Sequence, residues 1–444
     1  MIQEVKKTFA TLPSYEPKND RGVAQTWDKA FSVDPIGTVV DSYREAGPIF
    51  KIKHHGEERV AMAGVKANHF IWGDKELWDY PTSNRHFREQ FSDRYLNQLE
   101  GVEYAKKRRR VTAGFKPSVI MPHTAAMGES IHREIARNKG EWIPFRLFCM
   151  RIIIKMTSRA LMQVELPDGM DETMAISNKM MLKAESLGPW RHLYYLRPDR
   201  IYRRKKIFRY LNSIIEDREK NGSPGNDVLS MSLAAHPKDE PPIPRYELIH
   251  DLSQLMMAGS TTTSQMVLWN VLMTTQTPEW KEKMDAELSN WETDRFTNMK
   301  EWPCLKAACM EIERFRPPSM AFHRLTKKAF EFDGYEIPAK TWVTHLHTLG
   351  HYIDECYEDP LAFKPERFME GSGMPDRDVH GLFGGGAHVC AGVPLARVLQ
   401  PTAVGNILRY YDIEYQTPPS TEAKLDVVLA PRDDIMVKFH PKSS

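Results

Sequence analysis

Cysteine is scarce in this sequence: 444 residues hold five, Cys149, Cys304, Cys309, Cys356 and Cys390, with no Cys-x-x-Cys pair. An odd, sparse set argues against a secreted disulfide framework and against a structural zinc site built on cysteines, and points to a reducing, intracellular setting. An excess of one charge is also lacking. With 61 basic and 59 acidic side chains the formal net charge is +2, so no global field draws the chain to nucleic acid or an anionic membrane. A helical nucleic-acid-binding protein reading the basic run from Lys106 to Arg110 is therefore a remote alternative. No apolar run is long enough to span a bilayer, and the first residues lack the apolar stretch of a signal peptide. The expectation is a cytoplasmic protein with no membrane anchor. Repeats, low-complexity tracts and Ser/Gly linkers are missing as well, while 41% hydrophobic residues suffice for a large core. One domain over 1–444 is expected, acting as a monomer, with residues 1–20 loosely ordered.

What is present is mostly helical. From about Leu99 to Lys300 apolar residues recur every three or four positions, interrupted by breaks such as Gly222-Ser-Pro-Gly225. Two hairpins stand out. One pairs Ile49–Ile52 with Arg59–Ala63 through His54-His55-Gly56, and the other runs from Phe330 to Pro338 around Asp333-Gly334. The economical fold is mainly α, with small β-sheets packed to one side.

Near the C-terminus lies Phe383-Gly-Gly-Gly-Ala-His-Val-Cys-Ala-Gly392, a glycine-rich loop with a lone cysteine before a helical stretch from Pro394 to Tyr411. Glycines let a backbone approach a flat ligand, and a following helix N-terminus favours thiolate over thiol. Such a sulfur suits iron. Alone, the pattern fits a buried structural cysteine equally well. Elsewhere, Ala258-Gly-Ser-Thr261-Thr262-Thr263 sits in a helix from roughly Tyr246 to Thr275, where small residues leave space and hydroxyls either serve chemistry or bond the carbonyl four residues back. Glu311-Ile-Glu-Arg314-Phe-Arg-Pro317-Pro318 places an acid and a base on one helix face, with Glu313/Arg316 as a second match.

Together these segments resemble the cytochrome P450 family. The loop has the family's spacing at Phe383, Gly386, Cys390 and Gly392, the double proline selects Glu311/Arg314, and Phe363-Lys-Pro-Glu-Arg367-Phe368 matches the meander motif. The resemblance implies haem b between the oxygen-activation helix and the cysteine-loop helix, with Cys390 as iron ligand. Phe383, Gly384, His388, Gly392, Ala258 and Gly259 would contact the cofactor. Arg108 and Arg324 would bind its propionates, with Tyr104 where a histidine is common and His388 where a third basic residue is usual. Thr262 would deliver protons to dioxygen, beside Thr261. Glu311, Arg314 and Arg367 would form a buried hydrogen-bonded ion cluster.

The sequence departs from the family at Thr261, where an acid is usual, so the ordinary acid-alcohol relay is missing. Pro401 should kink or end the helix after the cysteine. The resemblance places the substrate pocket along 81–99, Met256–Thr263 and Ser319–Phe322, with Met257, Met320 and Phe322 as candidate lining, although such methionines are often ordinary core. Arg85 and Arg88 would either meet a substrate carboxylate or water. The segment from Pro189 to Leu196, before Arg203-Arg-Lys-Lys206, is a candidate access lid touching lipid.

The implied activity is oxidation of a lipophilic small molecule, terpenoid- or steroid-like, with dioxygen. No flavin or nicotinamide fingerprint is visible, so electrons would come from a ferredoxin or flavodoxin-type donor and its reductase, docking on the outward members of Lys106–Arg110. A peroxide-driven peroxygenase and a non-catalytic haem-binding sensor remain the rival readings.

Overall fold

The computed structural model describes residues 7–442 apart from 75, 186, 224, 293–298, 370 and 372–374. Helices dominate. The longest, Arg245–Gln276, is buried on nearly every side from Ser260 to Thr274, as a helix without a single apolar stripe must be. It packs against Phe145–Met162 and against Val393–Tyr410. The latter runs unbroken through Pro401, so the expected early end does not occur. Leu399, Thr402, Ala403 and Val404 are fully buried there, and that packing outweighs the roughly 3 kcal/mol that an interior proline costs.

Five strands form the main sheet, side by side in the order Ile49–His54, Glu57–Ala63, Trp342–Leu346, Phe322–Thr326 and Trp78–Asp79. The first pair is antiparallel, with Ile49 opposite Met62 and His54 opposite Glu57. Its tip is a two-residue turn, His55 at φ 50° and Gly56 at φ 79°, the left-handed pair that matches strand twist. Pairing therefore reaches the tip, and His54 belongs to a strand rather than the turn. The second hairpin pairs Phe330–Phe332 with Tyr335–Ile337 around Asp333 and Gly334, both at positive φ.

Two expectations change. Within the stretch read as helical, Ile143–Pro144 pairs with the C-terminal strand Met436–Pro441. Residues 7–20, expected to be loose, are tied down: Leu12 and Tyr15 are buried, and Tyr15 and Lys51 exchange backbone bonds with the neighbouring segment. Apolar side chains on both sides of that contact explain the order.

Candidate active site

Cys390 is set by its own loop. Its N–H donates to the Phe383 carbonyl at 2.8 Å, closing the segment just before the helix Val393–Tyr410 begins. The glycines act differently from the sequence-based expectation. A Cβ on Gly385 would stand 2.5 Å from the Trp72 ring, and one on Gly386, at φ 64°, 2.3 Å from the Trp72 carbonyl oxygen. These two admit the helix Val65–Gly73. Gly384, at φ 67°, has nothing within 4 Å and serves the turn itself. Cys390 keeps accessible surface although protein surrounds it closely, as at the floor of a cleft. Burial raises its thiol pKa, opposed by the Gly392 and Val393 amides and by Arg108.

Around this loop stands a cationic nest. Helix Gly101–Thr112 presents Tyr104 and Arg108 one turn apart. The Tyr104 hydroxyl donates to the Ala387 carbonyl at 2.8 Å, while Arg108 donates to Tyr104 Oη at 2.9 Å and to the Val389 carbonyl at 2.8 Å. His388 stacks on Tyr80, centroids 3.6 Å apart, and lies 4.2 Å from the Tyr104 ring. Strand Phe322–Thr326 brings Arg324 over Tyr80 at 5.1 Å. Burial, with Arg324 and Arg108 adding, pushes His388 down to about 3. Burial and the two arginines thus favour the neutral ring, and cofactor carboxylates held by Arg108 and Arg324 would oppose them.

The long helix turns a distinct face to this region. Ala258, Gly259 and Thr262 are only partly buried, whereas Ser260, Thr261, Thr263 and Ser264 are buried. A Cβ on Gly259 would lie 3.6 Å from Thr157 and 3.7 Å from Leu395, so this helix and the one after Cys390 meet there. Thr262 Oγ1 donates to the Ala258 carbonyl at 2.9 Å. Thr261, on the inward side, has a buried hydroxyl without a protein partner, as have Thr157 and both polar atoms of Gln265.

Behind the loop, Glu311 and Arg314 form a fork-to-fork pair at 2.8 and 2.7 Å, both side chains fully buried. Arg314 also donates to the carbonyls of His351, Pro360 and Ala362. Arg367 Nε lies 3.7 Å from Glu311, within ion-pair range, while Arg367 Nη2 donates to the Asp359 carbonyl at 2.8 Å; the fully hydrogen-bonded triad expected from the sequence is thus a bonded pair with a neighbouring cation. The competing match separates: Glu313 faces His380 and Arg397, and Arg316 stacks on Phe315.

Among the expected pocket residues Met320 is a correction, and the others are placed by their neighbours. Met320 is 1% exposed and packs in the core with Trp27, Val39 and Leu429, because the chain before Phe322 dips into the core. Met257 clusters with Phe91 and Tyr95, and Phe322 stacks on His347 at 4.4 Å. Of the basic run, Lys107 and Arg110 turn inward to Glu247 and Asp251, Lys106 pairs with Glu240, and only Lys106 and Arg109 are exposed. Arg85 and Arg88 are exposed. Sequence reasoning missed Trp72, Tyr80 and His347, none of which carries a local motif.

The donor set itself tests the cofactor. Arg108 and Arg324 are partly buried cations, and no ion pair joins either to a carboxylate among the described residues. A buried cation without a counter-charge is costly, and a flat aromatic ligand carrying two carboxylates, with a metal for Cys390, satisfies the nest. The residues fit haem b, and the site is that of a haem-thiolate protein. The sequence matches the family model Cytochrome P450 over residues 32–439, and the chain belongs to that family, with haem as its cofactor and monooxygenase chemistry as its activity. Among its relatives, lanosterol 14-alpha demethylase of Bos taurus is 24% identical over 404 residues, 87% of this chain and 79% of that one. Geraniol 8-hydroxylase of Swertia mussotii is 29% identical over 249 residues, covering 53% of this chain and 48% of that one. In fold, a cyanobacterial CYP120A1 structure with retinoic acid bound superimposes with a TM-score of 0.81 at 20% identity, over 97% of this chain and all of that one. Among the described residues no helix is long and apolar enough to cross a membrane.

Proposed function

We propose that this monooxygenase oxidises a lipophilic small molecule of the terpenoid or steroid class, with electrons from a separate ferredoxin- or flavodoxin-type protein and its reductase. The observation that carries the reading is the accessible Ala258/Gly259/Thr262 face flanked by the apolar cluster of Met257, Phe91 and Tyr95. Two relatives named for acting on lanosterol and geraniol support the isoprenoid class. When bound, haem would supply an iron centre at which dioxygen is reduced with electrons from the donor protein, one oxygen atom entering a C–H bond and the other leaving as water, with thiolate donation assisting O–O cleavage.

Each residue then has a task. Cys390 would hold the metal, and Arg108 and Arg324 would hold the carboxylates. Tyr104 and Arg108 keep the loop backbone in place through Ala387 and Val389. Thr262 would hand on protons from its hydroxyl, which donates to the Ala258 carbonyl in this structure. Thr261 and Gln265 lie one turn apart with unsatisfied polar atoms, and water bridging them replaces the missing acid. Glu311 and Arg314 support the loop from behind. The whole of 1–444 serves one haem domain in the cytoplasm, and the exposed pair Lys106 and Arg109 leaves a smaller docking patch than the five-residue run suggested.

A peroxygenase is the second reading, favoured by threonine in place of the acid at 261. Turnover with NADPH, ferredoxin and reductase against hydrogen peroxide alone separates the two. The proposal expects reductase-driven product to exceed peroxide-driven product, and Thr262→Ala to divert reducing equivalents into released peroxide. Equal rates from peroxide, with Thr262→Ala unchanged in coupling, would favour the peroxygenase.

A further inference from the structure

At the tip of the first hairpin, distant in sequence from every residue assigned above, two histidines and a carboxylate converge. Asp28 lies in the first turn of helix Trp27–Val33, His54 ends its strand and His55 occupies the left-handed turn position. One ligand atom from each, an imidazole nitrogen of either histidine and a carboxylate oxygen, all fall within 4.8 Å of one another. The arrangement is held from the backbone: the His55 N–H donates to Asp28 Oδ2 at 2.7 Å. From the other side the His54 ring stacks on His323, centroids 4.7 Å apart, and His323 is itself fixed at 3.2 Å from Thr344 Oγ1.

His54 Nδ1 and Asp28 Oδ1 are 2.5 Å apart in a close ion-pair contact, and both atoms are buried. His55 Nδ1 is 3.7 Å from Asp28 Oδ2. Ligands around a tetrahedral divalent ion, each about 2.0–2.2 Å from it, stand roughly 3.3 Å apart. The two separations run to different oxygens of Asp28 and lie on either side of that value, so His54 Nδ1 must draw back from the carboxylate and His55 Nδ1 approach it for the three residues to share one ion. The nearby Arg59 is already paired, with Glu57 at 3.1 Å, and lies over Trp342. His54 and Asp28 remain partly accessible and His55 is exposed, which gives an ion a route in and leaves positions for water.

We propose that Asp28, His54 and His55 form a binding site for a borderline divalent transition cation, Zn2+ foremost, separate from the haem centre. Two imidazoles and one carboxylate suit zinc, nickel or copper rather than calcium or magnesium. The ion would join helix Trp27–Val33 to the hairpin tip of the main sheet, whose strand Phe322–Thr326 carries His323 and Arg324.

The test is calorimetric titration of ZnCl2 into chelator-treated, haem-loaded protein without a histidine tag, beside Asp28→Asn and the double variant His54→Gln/His55→Gln. The asparagine keeps an oxygen for the His55 N–H, and an unchanged reduced carbon monoxide spectrum certifies the haem fold in each variant. The proposal expects one Zn2+ per chain, weakened at least about tenfold in both variants, and a thermal midpoint that Zn2+ raises in the native protein only. Equal binding by native protein and variants, or no native binding at 0.1 mM Zn2+ (about the ceiling for a specific site of this kind), would overturn it.

Discussion

Arg314→Lys probes how far the proximal framework depends on one forked side chain. The guanidinium makes five hydrogen bonds, two to Glu311 and one each to the carbonyls of His351, Pro360 and Ala362. A lysine ammonium keeps the charge but has three donors, so at least two of the five acceptors, one or more of them fully buried, lose their Arg314 partner. Each bare acceptor costs about 1–3 kcal/mol, giving a loss of about 4 kcal/mol. Urea unfolding followed by far-UV circular dichroism reads this as a lower midpoint at unchanged slope. The carbonyls involved belong to the segment leading towards the Cys390 loop, so the variant should also bind less haem. A loss below about 1 kcal/mol, with haem content intact, would refute the reasoning and make the pair ornamental.

Acid should destabilise the protein in a defined window. Burial holds His347, which is inaccessible to solvent, down at about 4 against 6.5 when free, and holds His345 and His351 well below it. The unfolded chain therefore binds more protons between pH 6.5 and 4, so stability is full above that window and falls as pH drops through it. His347 alone contributes about 3 kcal/mol across it; a urea midpoint flat from pH 8 to 5 would contradict this. Gly386→Ala meets a backbone oxygen at 2.3 Å, whereas Gly384→Ala meets nothing within 4 Å and bears only the left-handed penalty, about 1–2 kcal/mol. Thermal unfolding should thus separate them clearly, and equal melting would show that Trp72 yields. Trp190, Leu193, Leu196 and Tyr202 are each more than 60% exposed beside Arg197 and Lys205, so the chain should pellet with anionic vesicles and Trp190→Ala/Leu193→Ala should not. Absence of lipid-dependent pelleting of the native chain would dismiss the lipid-touching lid.

What the sequence made legible was chemistry written in short local spacing. The cysteine loop, the helix with Thr262, and Glu311/Arg314 each lie within a dozen residues, and the double proline separated the true pair from Glu313/Arg316. What stayed hidden depends on elements meeting across long separations. Lys107 and Arg110 read as a solvated run because their acids, Glu247 and Asp251, stand on another helix some 140 residues away. Trp72 and Tyr80 reach the site through the helix and segment beside the main sheet, and nothing near them in sequence marks an approach to Gly386 or His388. Met320 looked like pocket lining because apolar character is the same in a core and a pocket; only its neighbours Trp27 and Leu429 decide. The setting of His388 was hidden as well, since burial and two arginines from other elements push its ring towards the neutral form.

The most direct measurement is the absorption spectrum of the reduced protein under carbon monoxide, native beside Cys390→Ala. A Soret band at the long-wavelength position of thiolate ligation in the native protein, lost in the variant, is the predicted result. A band typical of histidine ligation in the native protein, or one unchanged by removing Cys390, would contradict the assignment of the metal to that sulfur.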